Sequence, residues 1–308
     1  MLVWVEETIH VIYHLNYAIF VFHYLQKCSH YTYKKEDFTV RALLKKSIVL
    51  IIAIFVAAIP FTTTQASAEQ SEAGTMGSGY KEYLQQHPEA AAPNTQDRSA
   101  GSSNTNTTEN GERILDLSEW QGELTKKQVK KLKKEYDFII IRGQYGSEYV
   151  DEVLEHNSNL LDKQNMKFGV YSYSMYENVA DARYEAQTLY NRAPKASFYI
   201  NDFETDSVTS GSSNKATAAW YDEMKSLAGK KKVLFYSYEN FMLNHAESAA
   251  QDYDGVWLAN YSTRPESPHV LWQYTDEYYS KILDQNVDAS YISPDVKPSW
   301  FTKKSKSN

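Results

Sequence analysis

The feature that most limits the fold is a change of texture at Arg113. From there short apolar runs alternate with stretches whose apolar residues recur at helical spacing. Ile114–Ser118, Phe138–Arg142, Phe168–Tyr173, Phe198–Glu204, Val233–Ser237, Val256–Asn260 and Val270–Tyr274 read as strands. Val129, Leu132 and Tyr136 mark a first helix, and Val153, Leu154, Asn157, Leu160 and Leu161 a second. Ala182, Ala186, Leu189 and Tyr190 mark a third, and Trp220, Met224, Leu227 and Ala228 a fourth. This alternation predicts βαβ units and a parallel sheet. A stretch of roughly 190 residues with up to eight strands closes most naturally as a (β/α) barrel of the TIM type. The later strands crowd together, so the α/β barrel should be irregular, with fewer helices in its C-terminal half. An open doubly wound sheet is the alternative.

The chain before Arg113 reads as two segments. Residues 1–68 form a leader: Lys45 and Lys46 precede the apolar run Ile48–Ile59, and Ala66-Ser67-Ala68 follows. That pattern describes a secretory signal peptide cleaved after Ala68. The run is short for a membrane span, which needs about 20 residues. Residues 1–39 add an aromatic, His-rich extension of a kind signal peptides rarely carry. Translation starting near Val40 would account for it; so would a membrane-proximal leader, with Val11–Leu25 touching the bilayer. His10 and His14 stand i, i+4 but lack a third ligand. Residues 69–112 are rich in Ser, Thr, Asn, Gly and Gln, which predicts a disordered spacer, with room for a short helix around Tyr80–Gln86. Residues 113–301 form the folded domain and 302–308 a solvated tail.

Charge and cysteine content narrow the function. The chain carries net charge −7. The leader holds 6 of the 32 basic and 4 of the 39 acidic residues, which leaves the remainder at −9. Such a surface is unsuited to nucleic acid, and bulk charge would not draw it to an anionic cell wall. The one cysteine, Cys28, lies in the leader, so an exported chain would have neither disulfide nor thiol nucleophile. Twenty-five tyrosines and 6 tryptophans suit sugar stacking as well as an ordinary core.

The chemistry centres on Ser197–Thr205, SFYINDFET. Read as a strand, it points Asp202 and Glu204 to one side, roughly 6–7 Å apart. Two acids at that separation match the needs of glycosidic cleavage, one protonating the leaving oxygen. The distance falls between the retaining and inverting ranges, and substrate-assisted attack by an N-acetyl group is a third route. A lone pair of acids ending a strand is more often just solvated. Here the other strand ends supply company: Asp116; Arg142, Gln144 and Tyr145; Tyr171 and Tyr173; Tyr236 and Tyr238. Later come Trp257, Asn260 and Tyr261, then Trp272, Gln273 and Tyr274, then Asp288. A barrel gathers such positions on one face, giving a sugar groove with an acidic floor. Tyr171, Tyr173, Tyr236, Trp257, Asn260, Tyr261, Trp272 and Gln273 are the candidate substrate-binding residues, although Tyr171, Trp257 and Trp272 also suit a core. Asp116 could instead cap the chain, Asp288 could serve a turn, and Arg142 suits an ion pair with these acids.

Several pieces together resemble glycoside hydrolase family 25, the muramidases that cleave peptidoglycan. They are DLSEWQG, FIIIRGQYG, FGVYSYS, YINDFET, VWLANY, LWQYT and VDASYI, in that order across about Arg113–Trp300. The resemblance implies Glu204 as general acid, Asp202 as its partner, and Asp116 and Asp288 as flanking active-site acids. Two departures stand out: Asn201 before the acid pair, and VDASYI after DEYYSKILDQN in place of a glycine-rich approach. The implied protein is a monomeric, secreted or wall-associated peptidoglycan hydrolase with no cofactor and no metal. Its partner is the glycan strand, and only its leader touches membrane. Two other readings are a barrel that binds glycan without turnover, and a metal-dependent hydrolase or deacetylase. His156, His245 and His269 show no ligand spacing for the latter.

Overall fold

The computed structural model describes residues 75–91, 107–108 and 111–303. The expectations for the leader, from the extension at residues 1–39 to cleavage after Ala68, lie outside the described residues. Among the described residues, no helix is long and apolar enough to cross a membrane.

Among the described residues the elements begin with helix α1 (Ser78–Gln86), a 3₁₀ turn (Pro88–Ala91) and strand β1 (Thr107–Thr108). Next come β2 (Gly111–Leu117), α2 (Lys126–Glu135), β3 (Phe138–Tyr145), β4 (Tyr149–Val150) and α3 (Leu154–Lys163). The middle holds β5 (Lys167–Tyr173), α4 (Val179–Arg192), β6 (Phe198–Asp202), α5 (Ser213–Ala228) and β7 (Lys232–Tyr238). The chain then runs through α6 (Glu239–His245), α7 (Glu247–Ala250), β8 (Gly255–Ala259), β9 (Leu271–Ser280), β10 (Gln285–Ile292) and α8 (Pro298–Thr302). Strands β2, β10, β9, β8, β7, β6, β5 and β3 pair in that order, and β2 pairs with β3 to close the ring. The result is an irregular eight-stranded barrel with its larger helices in the first half, as the sequence predicts.

All barrel pairs are parallel except those of β10, which runs antiparallel to both β9 and β2. The cause is local: β9 and β10 join through a tight turn in which Asp284 takes a left-handed φ of 62°. A hairpin leaves no room for a crossover helix and reverses the strand. The helices that do form carry their own stop and start signals. Thr125 and Gln128 make a reciprocal capping box at α2, and Asn178 accepts the amides of Ala180 and Asp181 at α4. Their buried stripes, Val129 and Leu132 in one and Ala182, Ala186 and Leu189 in the other, match the predicted helical spacing.

A bulge in β3 shapes the interior. Gly143 is the extra residue between the pairs Arg142–Tyr171 and Gln144–Ser172. The bulge lets Arg142 face inward while Gln144, two residues on, faces the helices, where it bonds the Glu185 carbonyl. A Cβ at Gly143 would meet the Leu189 side chain at 2.5 Å, so the close approach requires glycine.

The expected spacer is partly folded. Thr75–Ala91 packs on the barrel, and Thr107–Thr108 pairs with the start of β2. The reason is apolar content at helical spacing: Met76 and Tyr80 are buried, and Tyr83 and Leu84 pack against the same core. Strand β6 also ends at Asp202, short of Glu204, although Phe203 still donates its amide to the Tyr236 carbonyl at 3.0 Å.

Candidate active site

Every acid implied by the sequence motifs reaches the barrel mouth. Asp116 lies near the C-terminal end of β2, Asp202 closes β6, and Glu204 follows two residues later. Asp288 arrives from the opposite direction, because β10 is antiparallel, and its backbone sits directly across from Asp116. The tail of β6 continues the alternation, so Phe203 turns outward to stack on Tyr176 at 4.9 Å. Glu204 thus returns to the side of Asp202.

Burial dominates the electrostatics of this cluster. Glu204 is 2% exposed, and desolvation pushes its carboxyl from 4.5 up to about 8; the backbone amides of Gly79, Tyr80 and Gly77 pull it partly back. Asp116 rises to about 7 through burial, opposed by hydrogen bonds from Gln273 and Asp288. Asp288, half-buried, is raised well above the usual carboxylate range by desolvation and then by the Asp116 charge. The two carboxyls are hydrogen-bonded to each other and both are raised, so the pair holds a proton between them. Asp202 is also raised well above its ordinary value, by burial and then by the charges of Glu204 and Asp116. Both of its carboxyl oxygens are buried without a hydrogen-bond partner.

A hydrogen-bonded network holds the floor. The hydroxyls of Tyr236 and Tyr261 donate to Gln273 Oε1 at 2.7 and 3.0 Å. That fixes the amide so that Nε2 points at both Asp116 oxygens, 3.4 Å from each. Tyr171 and Tyr173 line the adjacent wall, and Tyr173 shares a hydrogen bond with Thr205 at 2.9 Å. Asn260 is near the mouth, but its Oδ1 accepts the Ser262 amide and hydroxyl and the Thr263 amide, which organises its own loop. Six of the eight candidate binding residues therefore meet at the barrel mouth. Trp257 faces the interior edge-on to Tyr236, ring centres 4.8 Å apart, and donates through Nε1 to Ser290 Oγ at 3.0 Å. Trp272 packs on Tyr291 and donates to the Asn260 carbonyl at 2.7 Å, on the strand face opposite Gln273. Trp272 thus stands on the outer face of β9, while Trp257 stays inside the barrel.

The mouth also contains residues that the motifs did not suggest. Gly77 and Tyr80 donate their amides to the two oxygens of Glu204 at 2.8 and 3.2 Å. Met76 donates its amide to the Tyr171 hydroxyl at 3.4 Å, and the Tyr80 hydroxyl donates to Asn260 Oδ1 at 3.3 Å. Tyr80 sits edge-on to Tyr261 and tilted on Tyr238, with ring centres 5.0 and 5.4 Å apart. Lys81 pairs with Asp276 of β9 at 3.0 Å. A signal for this contact does exist in the sequence: Met76, Tyr80, Tyr83 and Leu84 recur as one helical stripe.

Other buried charges lie just below. Arg142 is fully buried and pairs with Asp151 at 2.8 Å and Glu119 at 2.5 Å. Neither of these two partners is one of the four mouth acids, although the Arg142 charge lowers Asp202. Asn201 faces the helices, where it accepts from Ser174 Oγ and donates to the Tyr253 hydroxyl, each at 2.6 Å. This polar net explains how an amide replaces the expected aliphatic residue. Glu185 of α4 is buried too, accepts from Ser172 Oγ and the Met175 amide, and is pushed up to about 7 by desolvation. Among the described residues, no group of three or more His, Cys, Asp and Glu could hold a metal ion.

Comparison with known proteins agrees with this geometry. The family model for glycosyl hydrolases family 25 matches residues 115–282, more than half of the chain. The catalytic domain of endolysin ply40, from bacteriophage P40 of Listeria monocytogenes, is 30% identical with a TM-score of 0.55, over 59% of this chain and 93% of that one. GHIP, a glycosyl hydrolase 25 of Streptococcus pneumoniae, shares the fold at 23% identity and TM-score 0.53, over 59% of this chain and 87% of that one. A family 25 glycosyl hydrolase from Bacillus anthracis shares it at 18% and 0.51, over 61% and 91%. No curated protein matches the chain. The barrel, the acids at its mouth and the family match together make this chain a member of glycoside hydrolase family 25, a family of peptidoglycan-cleaving glycosidases, and an enzyme of that kind.

Proposed function

We propose that the protein hydrolyses the β-1,4 bond between N-acetylmuramic acid and N-acetylglucosamine in peptidoglycan, with Glu204 as the general acid. One observation carries the assignment. Glu204, which burial pushes up to about 8 with α1 in place, lies on the same side of the strand line as a buried Asp202 that has no hydrogen-bond partner in the protein. A general acid must carry its proton at the working pH, and desolvation favours the protonated form of Glu204. Glu204 gives its proton to the leaving oxygen as the glycosidic bond breaks. Water then provides hydroxide to the anomeric carbon and returns a proton to Glu204. Asp202, lacking a protein donor, is suited to accept the N–H of a 2-acetamido group and to orient it for substrate-assisted attack. Asp116 and Asp288, sharing a proton, place limited negative charge near the developing cation. The protein acts as a monomer on glycan strands, outside the cell or at the wall.

The test is mass spectrometry of purified peptidoglycan treated with the full chain, beside Glu204→Gln. Muropeptides with new reducing-end muramic acid from the wild type alone are expected. Products with a reducing-end glucosamine would reassign the bond, and equal products from the variant would remove Glu204 from its role.

A further inference from the structure

A glycosidase acid has to meet substrate, yet Glu204 is 2% exposed. What covers it is the segment Thr75–Ala91 of the same chain. Both carboxyl oxygens accept amides from the first turn of α1, where backbone N–H groups point outward and favour an anion. The segment also reaches Tyr171, Tyr173, Asn260 and Asp276. These contacts cross the mouth from β5 to β9.

The fit depends on two glycines. A Cβ on Gly79 would stand 2.6 Å from the Glu204 carbonyl oxygen, a backbone atom that no side-chain rotation can move. Gly77 has φ 86°, and its Cβ would stand 2.2 Å from the Tyr261 hydroxyl. Between them Ser78 reaches the Tyr173 hydroxyl at 3.4 Å. A helix of only nine residues is marginal in water. The barrel mouth therefore holds α1 folded, and α1 fills the mouth.

We infer that Thr75–Ala91 is an autoinhibitory occupant of the glycan groove, and that it leaves the mouth before a glycan strand enters. The inference rests on the hydrolase reading above for the identity of the ligand. A glycosidic oxygen seeking the Glu204 proton needs the same atoms that the Gly77 and Tyr80 amides now occupy. If the seated form holds 90–99% of molecules, apparent glycan affinity falls about 10- to 100-fold relative to the open barrel. The segment belongs to the chain, so its effective concentration is high and independent of dilution.

The experiment compares the full chain with Gly79→Val, Lys81→Glu and Lys81→Arg. Hydrogen exchange at the Gly77 and Tyr80 amides reports the seat. Binding of a peptidoglycan tetrasaccharide, and its cleavage, report the groove. The expected result is slow exchange in the wild type and Lys81→Arg. Gly79→Val and Lys81→Glu should exchange fast and bind the tetrasaccharide about ten-fold more tightly or better. Fast exchange at both amides in the wild type overturns the inference, and so does retained protection in Gly79→Val. Lost protection with no gain in binding overturns it too, because the segment would then not compete with glycan. Tighter binding without bond cleavage in any variant upholds the occupant and removes the hydrolase reading.

Discussion

The barrel is sealed at both ends, by different physics. At the bottom, Phe301 of α8 lies against Phe138 and Phe198, with ring centres 5.1 and 5.6 Å away. Gly169 leaves space for the Phe198 ring, since a Cβ there would meet it at 2.4 Å. This seal is carbon on carbon, non-directional, and depends on filled volume. At the top, the seal is made of amides on the Glu204 carboxyl, tyrosine hydroxyls and an ion pair. Those contacts are directional, and a ligand with matching donors can replace them one for one. The end whose seal can be exchanged is the end that carries the acids.

The largest expected effect lies at the top. Glu204→Gln should lower release of reducing ends by about 10²–10⁴-fold, the usual contribution of a positioned general acid. Its thermal midpoint should fall only slightly, because the neutral amide suits the desolvated site but its NH2 cannot accept one of the two N–H groups that Gly77 and Tyr80 donate. A loss smaller than ten-fold would mean that another group protonates the leaving oxygen. The bottom seal should behave in the opposite manner. Phe301→Ala removes an aromatic ring from a filled site and should cost about 3–5 kcal/mol of stability in urea unfolding. Turnover per folded molecule should be unaltered. If Phe301→Ala lost turnover while keeping stability, the two ends would not be separable.

Titration sharpens the contrast. Glu204 is raised from 4.5 to about 8 in the folded protein. A raised carboxyl contributes stability that is complete below its unfolded value and is lost as pH rises through the folded one. The wild type should therefore lose stability relative to Glu204→Gln as pH climbs from about 4.5 to 8. The loss across that window amounts to a few kcal/mol in all. Urea unfolding of both proteins at pH 5 and pH 8 measures the difference. Phe301→Ala carries no ionisable change, so its cost should be the same at both pH values. A pH-independent gap between wild type and Glu204→Gln would show that the seat keeps Glu204 ionised throughout.

The barrel was legible because each strand is a short apolar run and each early crossover a helix with its own cap. The acids were legible for the same reason: Asp116, Asp202 and Asp288 sit on inward positions of their strands, and Glu204 keeps the alternation past the end of β6. Depth within the barrel was not legible. Trp257 and Tyr236 are register partners, yet only Tyr236 reaches Gln273 while Trp257 bonds Ser290. The α1 stripe could be read as a helix, but not its docking, which joins Gly77 and Tyr80 to an acid 127 and 124 residues away. Contacts at that separation leave no local pattern. Glu185 was missed because it lies among Ala182, Ala186 and Leu189, and its partners come from the end of β5.

Trp272 gives the smallest effect and a check on which end of the barrel each aromatic serves. Successive residues on a strand face opposite ways, so Trp272 and Gln273 cannot both point into the mouth. Gln273 takes the inward position and contacts Asp116, which leaves Trp272 outside against Tyr291 and Tyr274. Trp272→Phe keeps the packing and loses one hydrogen bond, to the Asn260 carbonyl. It should cost about 1 kcal/mol in urea unfolding and leave both tetrasaccharide binding and turnover unchanged. A selective loss of binding at full stability would put the indole in the groove. It would also extend the exchangeable seal around the outside of β9, beyond the reach of α1.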